Sequence, residues 1–162
     1  MKTIIAWVGM ALILLTHSTC QPGKAGPDDS GNTNGAAEYF NLHPNQQKGY
    51  GYTRAVRIGN TIRISGAVSL DDQGNPTSVG DMESQLKTIY GDLHQTLRHF
   101  GCTFDDVVVE HIYTTNMNLL KQYAGERARY YKTRYPLGSW LEVKQLAIPD
   151  VLVEIELEAE KR

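Results

Sequence analysis

Between residues 52 and 70 the chain alternates. "YTRAVRI" (52–58) and "TIRISGAVSL" (61–70) are rich in β-branched and apolar residues at every second position, the period of a half-buried strand. Gly59-Asn60 joins them with the residues of a two-residue hairpin, and "DDQGN" (71–75) reads as a turn. The period then changes. Met82, Leu86, Ile89, Tyr90, Leu93 and Leu97 recur at helical spacing and form one apolar stripe. Asp81 is the expected N-cap, Glu83 lies near the positive end of the helix dipole, and Gly101 stops the helix. Asp106 leads into "VVVEHIYTT" (107–115), a β-branched strand. Helical spacing returns from Leu119 to Arg134, through Leu120, Tyr123, Ala124, Arg127, Tyr130 and Tyr131, until Pro136 ends it. "SWLEVKQLA" (139–147) and "VLVEIELEAE" (151–160) complete the pattern as two strands joined around Pro149-Asp150.

This order, β-β-helix-β-helix-β-β, predicts an α+β domain: one sheet of five or six strands with two helices on one face. Two helices cannot cover both faces. The other face carries Val, Ile, Leu and Trp in places, so self-association would bury it.

The N-terminus follows no such pattern. Lys2 precedes an apolar run from Ile4 to Leu15, too short for a bilayer span of about 17–25 residues but of the length of a secretory h-region. Residues 1–19 are therefore expected to be a signal peptide. Cys20 follows at once and resembles the acylated cysteine of a bacterial lipobox, although His17, Ser18 and Thr19 depart from the usual Leu and small residues. A plain signal peptide cut nearby is the competing reading. Residues 21–38, made of Gly, Pro, Asn, Asp and Ser with little to bury, read as a flexible tether. The folded domain is expected over residues 39–162. This places the protein in the cell envelope, periplasmic or held to a membrane only through the Cys20 anchor.

Composition narrows the function. With 162 residues the chain suits one domain, and a net charge of −2 disfavours nucleic-acid or anionic-membrane surfaces. There is no Gly-rich phosphate loop, C-x-x-C or H-E-x-x-H. His94 and His99 are five residues apart and share no helix face, so no metal site is expected. His111 could act as a base, but a surface or interface histidine is more frequent. Cys102 follows a helix C-terminus, which disfavours a thiolate, and reads as structural. In the last strand Glu154, Glu156 and Glu158 alternate with Val153, Ile155 and Leu157. Glu156 and Glu158 suit a solvated acidic face. A glutamate nearer the sheet centre, partly buried at a subunit contact, would have a raised pKa and could exchange protons.

"IGNTIRISGAVSL", "QLKTIYGDLHQTLRHFGCTFDDVVVEHIYTTNM" and "YPLGSWLEVKQLAIPDVLVEIELEA" together resemble the Rid family, also called YjgF or reactive intermediate deaminase, with an older endoribonuclease name. The resemblance covers roughly residues 50–160. It implies a chorismate-mutase-like α+β fold and a homotrimer with small-molecule clefts between subunits. It implies hydrolysis of enamines and imines to 2-oxo acids and ammonia, without metal or cofactor. Carried over, Tyr52 falls on the family's pocket tyrosine, Ser65 and Gly66 on the "SG" after the second strand, Ser139 on the serine of the junction, and Glu154 on the water-handling glutamate.

The family's carboxylate-gripping arginine is missing, and its place is Gly138. Trp140 stands where the archetype often has Cys, and Ala124 where it has a pocket Asn. A lost charge-assisted contact costs about 1.5–3 kcal/mol, so the pocket suits a larger or less acidic ligand. Arg54, two residues past Tyr52, either is a surface arginine, the more frequent case, or reaches the cleft as a compensating cation. Three functions follow: an imine or enamine hydrolase using Glu154; a non-catalytic binding module with the same cleft; and, least supported by the acidic balance, a ribonuclease.

Overall fold

The alternating segments pair into one six-stranded sheet. The structure is a computed structural model that describes residues 36–162. The expected signal, Cys20 and nearly all of the tether lie outside the described residues. Strands β1 (Glu38–Phe40), β2 (Ala55–Ile58), β3 (Thr61–Ala67), β4 (Val107–Thr114), β5 (Leu137–Glu142) and β6 (Val153–Glu160) stand in the order β1-β2-β3-β6-β4-β5. Neighbours are antiparallel except β4 and β5, which run parallel. The Gly59-Asn60 turn closes the β2–β3 hairpin, with Gly59 at φ 61° as such a turn requires.

Helix α2 (Met82–His99) is the long amphipathic helix of the sequence pattern. The helix α1 (Pro44–Tyr50) precedes it and α3 (Met117–Tyr123) follows it. The Asp81 side chain accepts from the Ser84 amide and caps α2. All six stripe residues are buried, against Ile62, Ile64, Ile112, Ile155 and Leu157 from one sheet face. Each such side chain is worth about 1.5–3 kcal/mol when fully buried, so this stripe fixes which face is covered. The opposite face carries Arg63, His111, Tyr113, Glu154, Glu156 and Glu158, and the strands also expose Ile58, Leu137 and Leu141.

Several boundaries differ from the sequence pattern. β1 and α1 are additional elements. α1 has no apolar stripe and is fixed instead by Pro44 in its first turn and Gly51 at φ 74°. The expected helix from 119 to 134 is two pieces, α3 and a 3-10 segment at Ala124–Arg129. β5 spans 137–142 rather than 139–147, and the chain then loops to β6. Trp140 is not on the open face: it pairs in parallel register with Ile112, shares its helix-covered side and packs against the core. The described residues thus carry three α-helices, with α2 making the cover.

Candidate functional site

The site forms where β3 loses register with β6. Between Ile64 and Ala67 the pairing shifts, and Ser65-Gly66 bulges. The bulge is tied to the start of β2. The Ser65 amide and hydroxyl both donate to the Arg54 carbonyl, at 2.9 and 3.1 Å. Arg54 Nη1 donates to the Gly66 carbonyl at 3.1 Å, and the Arg54 amide donates to Asn41 Oδ1. Gly66 is glycine for a steric reason: a Cβ there would overlap the Glu154 carboxylate, which lies directly over it.

A pocket of about 360 Å³ opens above this floor. Tyr50, Tyr52, Ser65 and Gly66 line one side, and Leu146, Ala147 and Ile148 come from the loop before β6. Val68 and Leu70 add apolar wall, and Glu154 and Glu156 supply the charge. Tyr113 donates to Glu156 at 3.0 Å, whereas no hydrogen bond from the described residues reaches the Glu154 carboxylate. Burial, and then the charge of Glu156, push the Glu154 carboxyl above its ordinary range, and the Arg54 guanidinium partly offsets both. A carboxylate that is half-buried, without hydrogen bonds and raised in pKa is suited to take and return a proton.

Arg54 is neither on the surface nor in the cleft. It is only 2% exposed and does not line the pocket. It lies behind the bulge, with Nε unpaired among the described residues. Its charge also holds down Asp92, whose carboxyl burial raises and which bridges His43 at 3.4 Å. Arg54 therefore braces Gly66 and biases Glu154 towards its ionised form, from outside the pocket lining.

The β5 positions stand apart. Gly138 pairs with Glu110 in parallel register, and a Cβ at 138 would overlap the Glu110 carbonyl oxygen. Gly138 and Trp140 therefore lie on the covered side and Ser139 on the open side, opposite His111, none of them in the pocket with Glu154. Beneath Gly138 is a buried acid that the sequence reading passed over. Glu110 is 1% exposed and accepts from Tyr90 and Tyr131 at 2.8 Å each, and from Arg127 through both Nε and Nη2. Arg127 in turn stacks on Tyr131, Tyr135 and Trp140, with its Cζ 5.2 Å from the Trp140 ring centre. Burial and the Glu110 charge push the Tyr90 and Tyr131 phenols up, so both remain donors.

One chain thus brings together Tyr52, Ser65, Gly66 and Glu154, and adds Tyr50, Glu156 and the 146–148 loop. Glu156, expected on a solvated face, is partly exposed, and it also lines the pocket and accepts from Tyr113. Its position two residues from Glu154 on one strand was the available signal. For Glu110 the signal was an acid in phase with Ile112 and Thr114, both core positions. Among the described residues no group of three or more His, Cys, Asp or Glu side chains converges as metal ligands would. The Cys102 thiol is buried, and burial is the main cause that pushes it up, which keeps it inert.

The close approach at residue 138 gives a direct prediction. Gly138→Arg forces a Cβ into the β4–β5 pairing, and the expected loss is about 1–3 kcal/mol, the usual cost of overpacking. A urea denaturation series that leaves the midpoint unchanged would show that β5 can shift to accept the side chain.

The fold and site define a small α+β protein whose open sheet face bears a pocket floored by two carboxylates. A family model described as endoribonuclease L-PSP matches residues 45–161, and the chain belongs to that family, the Rid or YjgF family. A RutC family protein of Sulfurisphaera tokodaii is 27% identical over 104 residues, covering 64% of this chain and 82% of the relative. The 2-iminobutanoate/2-iminopropanoate deaminase of Mus musculus is 30% identical over 108 residues, covering 60% of this chain and 80% of the enzyme. Among solved structures, a YjgF/YER057c/UK114 family protein from Mycobacterium tuberculosis superposes with a TM-score of 0.66 at 27% identity, covering 77% of this chain and 99% of that one.

Proposed function

We propose that this protein hydrolyses reactive imines and enamines to carbonyl compounds and ammonia, with Glu154 as the proton-handling group. The observation that carries this reading is the half-buried, unbonded Glu154 carboxylate on the pocket floor, with its raised pKa. The deaminases among the relatives support the same chemistry. Water adds through oxygen to the electrophilic iminium carbon while Glu154 accepts its proton. The resulting carbinolamine takes that proton back on nitrogen. The C–N bond breaks as the hydroxyl oxygen forms the carbonyl, and the hydroxyl proton leaves with the departing ammonia as ammonium. Ser65 and the Gly66 backbone shape the floor, and Tyr52 flanks the iminium.

The assembly belongs to the same proposal. Within one chain, Gly138 and Trp140 are on the other side of the sheet from Glu154. A second copy that seats its β5 region on the open face would join the two sets, and a homotrimer would repeat that cleft three times. The exposed Ile58, Leu137 and Leu141 are apolar surface available for it. The export reading also remains a proposal: mass spectrometry of the mature N-terminus is expected to find an acylated Cys20.

Gly138 favours a second reading, a non-catalytic envelope module that holds a small molecule, because that position contributes no side chain to a ligand. Turnover decides between them. Wild-type protein is expected to accelerate ammonia release from imines generated in situ above the buffer rate. Thermal stabilisation by ligands without any such acceleration would favour the binding module. Ribonuclease activity is not part of the proposal, since the pocket carries carboxylates and apolar walls rather than a basic, stacking strip.

A further inference from the structure

The pocket's own chemistry selects among imines. On its floor Glu154 and Glu156 project from alternate positions of β6, and like charges so placed repel an anion and attract a cation. Its walls are two tyrosines and the apolar side chains of Leu70, Leu146 and Ile148, a lining for an aromatic or aliphatic body. Tyrosine faces also attract cations.

No cation stands in the lining, and the Arg54 charge offsets Glu154 only in part, from behind the floor. Arg54 is sealed behind Gly66, with Nη1 bound to the Gly66 carbonyl. Arg127, the guanidinium stacked on Trp140, is bound through two nitrogens to Glu110. Gly138 has no side chain, and the Glu110 carbonyl fills the space where one would start. Even if a second copy brings its β5 to the cleft, the cation nearest that strand's Trp140 is already neutralised.

We infer that the substrate is the iminium of a primary amine with an apolar or aromatic body and no carboxylate, held with its cationic nitrogen towards Glu154 and Glu156. The inference rests on the hydrolase reading for its reaction and on the pocket alone for its ligand class. The Glu154 carboxyl, raised by burial and by Glu156, is in the state that a bound cation would relieve.

Two imines that differ only in the carboxylate test it. A flavin amine oxidase makes one from phenethylamine, and an amino-acid oxidase makes the other from phenylalanine. Hydrolysis of each by the full chain is followed as lost semicarbazone trapping. The expected result is a kcat/KM at least tenfold higher for the amine-derived imine. Equal values, or a preference for the carboxylate, would overturn the inference while leaving the hydrolase reading intact. If neither imine is hydrolysed faster than in buffer, the hydrolase reading fails. Melting shifts with phenethylammonium and with phenylpyruvate then decide the ligand class. Stabilisation by phenethylammonium alone supports it, and stabilisation by phenylpyruvate, or by neither, overturns it.

Discussion

Glu110→Ala is expected to destabilise the domain by about 3–5 kcal/mol, the usual penalty for removing one partner of a buried ion pair. Glu110 is buried on β4, between β6 and the edge strand β5, and its two oxygens bind Arg127, Tyr90 and Tyr131. The substitution strips the acceptor from three donor side chains at once and leaves a guanidinium among Tyr131, Tyr135 and Trp140 with no counter-charge. A domain of ordinary stability holds only about 5–15 kcal/mol, so the variant should unfold at far lower urea. Tyr131→Phe removes one hydrogen bond and should cost about 1 kcal/mol. Equilibrium denaturation with a double-mutant cycle on Glu110 and Arg127 checks both. A coupling near zero would mean that the pair only fills space.

Glu154→Gln is expected to lower kcat for imine hydrolysis by about 10²- to 10⁴-fold, the range that one positioned acid–base group supplies. Glutamine keeps the shape over Gly66 and cannot take a proton from water. Stability should move the other way. Burial raises the Glu154 carboxyl, so the folded state holds this proton more tightly than the unfolded chain does. Wild type therefore loses stability as pH rises from the ordinary carboxylate value through the raised one. The amide variant has no such loss, so Tm for Glu154→Gln should exceed wild type at neutral pH and the gap should close in acid. An inactive variant that is also less stable at neutral pH would point to damaged packing.

Most of the frame was legible because it is written in periodicity. The α2 stripe, the Asp81 cap and the Gly59-Asn60 turn each rest on a local pattern, and all three stand in the structure. β1 and α1 were not legible, since a three-residue strand and a polar seven-residue helix have no period to read. The break at Ala124 escaped because apolar spacing continues through the 3-10 segment.

For the site, the family's motif placed Tyr52, Ser65, Gly66 and Glu154, and these meet in one pocket. Gly138 looked like a vacancy in a ligand grip. In the fold it is also a close contact between β4 and β5, a reason that exists only once the strands are paired. Arg54 was misread for a related cause. Alternation gives the side of a strand, but Arg54 precedes β2, and its burial depends on the bulge that it braces.

The central claim is that Glu154 moves the proton in imine hydrolysis, and the pH dependence of kcat/KM, which reports the groups of the free protein, tests it most directly. Wild type should show an acid limb whose midpoint lies above 4.5, the ordinary glutamate value, because activity requires the ionised carboxylate. After subtraction of the buffer rate, that limb should be absent from the residual activity of Glu154→Gln. An acid limb that survives the substitution unchanged would assign the proton to another group and contradict the account.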